Sequence, residues 1–240
     1  MIVFAVCITL LQAAFTCGGL VITDVSPENA NVQQLIVNVH NDFRRAVQPP
    51  ATNMLKMSWN AQLATNAQNW INNCVLTHGP PSSREIDGYQ CGENLFKSNA
   101  VYNWTSVVGA WHNEVKNYKY PSGSVNGNPI GHYTQVVWYG SYEVGCGVTF
   151  CDKLETYFYG CHYFRAGNFK GVAPYTNGTS CADCPDSCDD KLCTDPCPYI
   201  DKYRNCPNLA KQHGCDTSWM MTYCPSSCQC QTKIRPIAKK

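Results

Sequence analysis

The chain is short of charge, and neither sign dominates. Of 240 residues, 18 are Lys or Arg and 17 are Asp or Glu, for a formal net charge of +1. That excludes a strongly basic nucleic-acid binder and a charge-driven disordered chain. Long apolar runs are missing beyond the first fifteen residues, so no later stretch suits a bilayer span of about 20 residues. Two hydrolase strings are missing as well: there is no Gly-x-Ser-x-Gly elbow and no His-Glu-x-x-His. The opening run, Met1 to Phe15, has no charged side chain and is too short to span. With the small residues Thr16 to Gly19 behind it, it reads as a signal-peptide core, cleaved after Gly18 or Gly19, although the usual positive n-region is lacking. The mature protein is then expected to be secreted and extracellular.

Cysteine is what the chain has in excess, 17 in all, ten of them between Cys181 and Cys230. Disulfides persist in oxidising compartments, which agrees with a secretory route. Two sequons, at Asn103 and Asn177, agree with it too. Up to about residue 177 the composition can build an ordinary core, with 44% hydrophobic residues in the whole chain. From Cys181 onward the segment is too small to fold securely on buried apolar surface. Cys181-x-x-Cys184 has no matching second pair for a zinc site, so disulfides are the expected use.

Apolar stripes at helical spacing run through Val32, Leu35, Ile36, Val39 and Phe43, then Leu63, Ala67, Trp70 and Ile71. A third joins Trp104, Val107, Val108, Trp111 and Val115. Tyr133–Trp138, Val144–Phe150 and Thr156–Tyr163 are β-branched and aromatic and read as strands. Helices followed by strands, without βαβ alternation, predict an α+β layered fold.

Four strings stand in order along this region: His40-Asn41-Asp42-Phe43-Arg44, Gly92-Glu93-Asn94-Leu95, Gly131 to Trp138, and Gly160-Cys161-His162-Tyr163 leading to Gly167-Asn168-Phe169. The set resembles the signatures of the CAP superfamily. The C-terminal cysteines resemble the cysteine-rich domain of cysteine-rich secretory proteins. That resemblance implies an α-β-α sandwich over 19–177 after a signal peptide at 1–18. It also implies a disulfide hinge at 178–196, a short-helical module at 197–230 similar to sea-anemone potassium-channel toxins, and a basic tail at 231–240. It implies the pairings Cys74–Cys151, Cys146–Cys161, Cys181–Cys188, Cys184–Cys193, Cys197–Cys230, Cys206–Cys224 and Cys215–Cys228. The family places one more cysteine three residues after Cys161, where this chain has Phe164. Its partner there would be Cys91. Cys91 is thus expected either as a buried inert thiol in a monomer, or as a bridge to Cys17 or to a second chain.

The polar residues that stand out are His78, Glu93, Glu114 and His132. Glu114 follows Trp111 by three residues and should point toward the core side, where a carboxylate needs a partner. By resemblance the four match the polar tetrad of the CAP cleft, with His78 and His132 as zinc-type ligands. Two histidines make an incomplete, weak site, so no cofactor is required and zinc is expected to bind weakly. A structural hydrogen-bonded network and a metal-assisted hydrolase are the competing readings. His112 faces away and reads as a surface or packing residue.

The near-zero net charge hides a polarity. The hinge carries Asp183, Asp186, Asp189, Asp190 and Asp195 against Lys191. Beyond Cys197 come Lys202, Arg204, Lys211, Lys233, Arg235, Lys239 and Lys240 against Asp201 and Asp216. A small basic surface can be drawn to a channel mouth or to anionic headgroups, or can simply be a solvated face. The resemblance implies ion-channel or receptor contact. The lysine–aromatic pair of pore-plugging toxins is missing between Cys215 and Cys224, where Met220 and Met221 stand instead. The expected contact surface is therefore an apolar patch of Trp219, Met220, Met221 and Tyr223, with Lys202 and Arg204 nearby. The function expected is non-enzymatic modulation of a channel or cell-surface receptor. The alternative is a binding protein of fertilisation or defence that recognises sperm or egg surfaces, sterol or lipid.

Overall fold

The structure, a computed structural model, describes residues 19–238. The expected signal peptide, with Cys7 and Cys17, lies outside the described residues. Helix α1 spans Ala30–Arg45 and is capped by Asn29, which accepts from the Asn31 amide. Strand β1 (Ser58–Trp59) precedes α2 (Ala61–Ile71), whose cap Asn60 accepts from the Gln62 and Leu63 amides. Such caps satisfy amides that a helix start leaves without partners. A small hairpin, β2 (Glu85–Ile86) and β3 (Tyr89–Gln90), leads into β4 (Gly92–Ser98). Helix α3 covers Trp104–His112 and continues as a 3₁₀ turn, Asn113–Asn117. A second hairpin, β5 (Tyr118–Lys119) and β6 (Gly123–Ser124), precedes α4 (Gly131–Val136). Strands β7 (Glu143–Cys151) and β8 (Thr156–Phe164) complete the first domain.

One expectation is corrected. Tyr133–Trp138 is not a strand but α4 and the turn that ends it. Thr134 donates its hydroxyl back to the Ile130 carbonyl, and Tyr133, Val136 and Val137 are all buried, a helical spacing. The outer strand is instead β4, which carries the Gly-Glu-Asn-Leu string.

The sheet runs β1-β7-β8-β4, with β1 parallel to β7 and the other pairs antiparallel. Helix α2 lies on one face, and α1, α3 and α4 pack together on the other. The approach of α2 is close because β7 offers Gly145 and Gly147 there. A Cβ at Gly145 would stand 2.1 Å from the Ala64 amide nitrogen. Glycine removes that obstruction.

The first string is structural. Arg44 is 1% exposed and donates to the carbonyls of Leu55, Val136, Trp138, Tyr139 and Ser141 at 2.7–3.2 Å. Burial lowers its pKa to about 9, so it stays protonated at neutral pH. Asn41 exchanges hydrogen bonds with the backbone of Met57. One cation and one amide thus pin two segments, 55–57 and 136–141, to α1.

In the hinge, β9 (Cys188–Asp189) pairs with β10 (Leu192–Cys193). The hinge lies along the first domain: Lys56 donates its amide to Cys193, and Cys193 donates to Met54. Three of its acids are taken up there. Lys56 pairs with Asp189, Arg45 with Asp190, and Thr52 donates to Asp183. The final module holds α5 (Cys206–His213), α6 (Ser218–Tyr223) and α7 (Pro225–Gln229).

Among the described residues, seven disulfides close. They are Cys74–Cys151 and Cys146–Cys161 in the sandwich, Cys181–Cys188 and Cys184–Cys193 in the hinge, and Cys197–Cys230, Cys206–Cys224 and Cys215–Cys228 in the module. Residues 231–238 are not a free tail. Ile234 is buried and pairs with Pro196, and the Arg235 carbonyl accepts from Tyr139. Arg165, also buried, stacks 3.9 Å over the Tyr89 ring and donates to the Pro198 carbonyl. These contacts fasten the module to the sandwich.

Candidate metal centre and binding faces

Adjacent residues of β4 organise the polar cleft. Side chains of neighbouring strand residues point to opposite faces of a sheet, so Glu93 and Asn94 serve different partners. Glu93 has a fully buried side chain. Its Oε1 accepts from His78 Nδ1 at 2.7 Å and from the Gly79 amide at 3.0 Å. Its Oε2 lies 3.1 Å from His162 Nε2. Burial alone would raise this carboxyl. The hydrogen bonds from His162 and His78, the His162 charge and the Gly79 amide outweigh it and hold the pKa at about 2. Asn94 donates to the His132 carbonyl and to the Tyr163 hydroxyl. The same hydroxyl meets His40 Nε2 at 3.0 Å, and burial holds His40 down at about 4.

The second pair forms where α3 gives way to its 3₁₀ turn. Glu114 Oε1 lies 2.7 Å from His132 Nδ1, and Oε2 accepts the His132 and Tyr133 amides at 2.8 and 3.2 Å. Glu114 therefore binds the start of α4 rather than entering the core. Trp111 lies against the His132 ring. The remaining strings knit around this point: Asn168 donates to the Gly131 carbonyl and accepts from Thr134, and Gln135 accepts the Gly167 amide.

Both histidines thus direct Nδ1 to a carboxylate. That fixes the tautomer whose free Nε2 can ligate a metal, the carboxylate–histidine arrangement of many zinc sites. The His78 and His132 side chains are 59% and 34% exposed. Each histidine offers one imidazole nitrogen, and two such ligands alone would not enclose a divalent cation. Among the described residues, three metal-ligating atoms within 4.8 Å of one another occur only at Cys181, Cys184 and Cys193. Those sulfurs are all held in disulfides. His162 is the site residue that sequence reasoning missed. It is 1% exposed, and only its place opposite Glu93 in the β4–β8 register marks it. His112 stacks on Phe43 at 3.9 Å, a packing role.

In the module, Trp219 and Met221 are 46% and 42% exposed, and Lys202 stands 4.6 Å over the Tyr223 ring. Met220 does not join them. It is 2% exposed and packs on Cys206 and Cys224, because α6 turns it inward. Arg204 is exposed on the neighbouring side. Asn103 caps α3 through its side-chain oxygen, and Asn177 is exposed. Cys91 is 0% exposed among Leu63, Ile86 and Phe164, and burial pushes its thiol up to about 12. Among the described residues Cys91 is the free cysteine, and the alternative bridge to Cys17 lies outside them.

A family model described as the Cysteine-rich secretory protein family (CAP) matches residues 37–163, and one described as Crisp matches residues 181–235. Among solved structures, Na-ASP-1 superposes with a TM-score of 0.58 at 30% identity, over 68% of this chain and 46% of that one. The chain thus spans less than half the length of that relative. NaASP2, crystallised with Zn2+, gives 0.58 at 26% identity over 69% of this chain and 96% of its own. The venom allergen-like protein 4 of Schistosoma mansoni gives 0.53 at 28% identity over 63% and 97%. With the layered sheet, the paired strings and the disulfide-rich C-terminal region, these matches show that the chain belongs to the cysteine-rich secretory protein family, as a CAP domain followed by a Crisp domain.

Proposed function

We propose that this is a secreted, non-enzymatic binding protein whose C-terminal module modulates a cell-surface ion channel or receptor. The observation that carries the reading is the set of exposed apolar side chains on the module. Trp219, Met221 and Tyr203 are 40–46% exposed on a scaffold closed by three disulfides, with Lys202 beside them. Rigid exposed aromatics are typical anchors of protein recognition. Contact by such a patch does not need a lysine in the pore. Recordings from calcium, potassium and ryanodine-type channels with the full chain test it. Inhibition that is lost in Trp219→Ala/Met221→Ala is the expected result; no effect of the wild type at micromolar concentration overturns it.

The CAP cleft is read as a weak, reversible zinc site. The free Nε2 atoms of His78 and His132 support this, as does the zinc in the NaASP2 crystals. Calorimetric titration should give a micromolar or weaker site, and His78→Ala and His132→Ala should each abolish it. Unchanged affinity in both variants refutes it.

A further inference from the structure

The module has a second face, distinct from the aromatic one. Two cavities of about 580 and 400 Å³ share Pro207, Gln231 and Arg235 and so form one trough. Arg204 and Lys233 line the larger part, Lys211 the smaller, and Arg235 both. Among the described residues none of these four cations makes an ion pair; the Lys and Arg side chains that do are Arg45 and Lys56 of the sandwich.

Two carboxylates, Asp183 and Asp201, line the larger part, and both are held in place by hydrogen bonds from neutral donors. Asp201 accepts the Ser227 amide at 3.0 Å and its hydroxyl at 2.6 Å, and Asp183 accepts the Thr52 hydroxyl at 2.7 Å. Asp189 and Asp190 are held by Lys56 and Arg45. Two of the five hinge acids thus spend their charge on the CAP domain, and the trough holds four cations against the two carboxylates of its lining.

We infer that this trough binds a sulfated polysaccharide of the cell-surface type. Guanidinium forks suit planar and tetrahedral oxyanions. Cations spread along an elongated hollow suit a chain of repeated sulfates, and the exposed Gln231 amide can serve the intervening hydroxyls. A flat bilayer surface cannot enter a concave trough.

Binding of the full chain to a heparan-type decasaccharide in 0.15 M salt tests the inference. The expected result is measurable binding that is lost when the same saccharide is desulfated. Arg204→Ala/Lys211→Ala/Lys233→Ala should weaken it at least about tenfold and lower the salt slope by about three, one per cation removed. All three residues are exposed, so these changes spare the fold. Trp219→Ala/Met221→Ala should bind the saccharide like the wild type, which separates this face from the channel-contacting one. Wild-type affinity in the triple variant, loss of saccharide binding in the aromatic pair, or equal binding of polyglutamate or anionic vesicles overturns the inference.

Discussion

Glu93→Gln offers the sharpest test of the cleft. The folded protein holds the Glu93 carboxyl at about 2, against 4.5 unperturbed, through His162, His78 and the Gly79 amide. A depressed carboxyl stabilises the fold above its unfolded value, and that stability is lost as pH falls through the folded one. At about 1.4 kcal/mol for each pH unit between the two values, the contribution is roughly 3 kcal/mol. It is fully present above about pH 5.5, and most of it is gone by pH 2.5. Urea unfolding of wild type and Glu93→Gln at pH 7 and pH 2.5 reads it out. The wild type should lose roughly 2–3 kcal/mol more than the variant between the two conditions, beyond the loss from its other carboxylates, which both proteins share. An equal loss in both would mean that the carboxylate is not held by its two imidazoles, and the cleft geometry would fall with it.

Arg44→Met should destabilise by more than about 4 kcal/mol in denaturant, since it strands several buried carbonyl acceptors; a change under 1 kcal/mol refutes the anchoring role. Gly145→Ala should lower the melting temperature strongly, because the added methyl meets helix backbone rather than a flexible side chain; an unchanged melting curve counts against the α2 packing. Native protein should resist alkylation at Cys91 and react once after unfolding without reductant; rapid labelling of the native state contradicts the sealed thiol.

What was legible in the sequence depended on how local the signal was. The α1, α2 and α3 stripes are amphipathic and needed nothing beyond their own periodicity. Tyr133–Trp138 misled because β-branched and aromatic residues suit a strand, whereas tertiary packing drives this segment helical and buries almost every residue of it. Leu35 and Val115 fit their stripes yet lie 37% exposed, since the faces they sit on are not fully covered. In the site, His78, Glu93, Glu114 and His132 stood out as polar residues in apolar surroundings. His162 did not, because its role comes from strand register across 69 residues. The hinge acids were visible as a charge run, but only the fold reveals that Lys56 and Arg45 pair with Asp189 and Asp190.

The sealed thiol has a consequence for how this chain is made. Six of the seven disulfides join residues 33 or fewer apart in sequence, and Cys74–Cys151 joins residues 77 apart. Until β4 docks beside β8 and Phe164 covers it, Cys91 can compete with the fourteen sulfurs that pair among the described residues. Correct pairing then depends on order, with the sheet closing before oxidants reach that thiol. A variant that loosens the β4 edge would accumulate scrambled, retained chains well before its finished form showed any loss of stability.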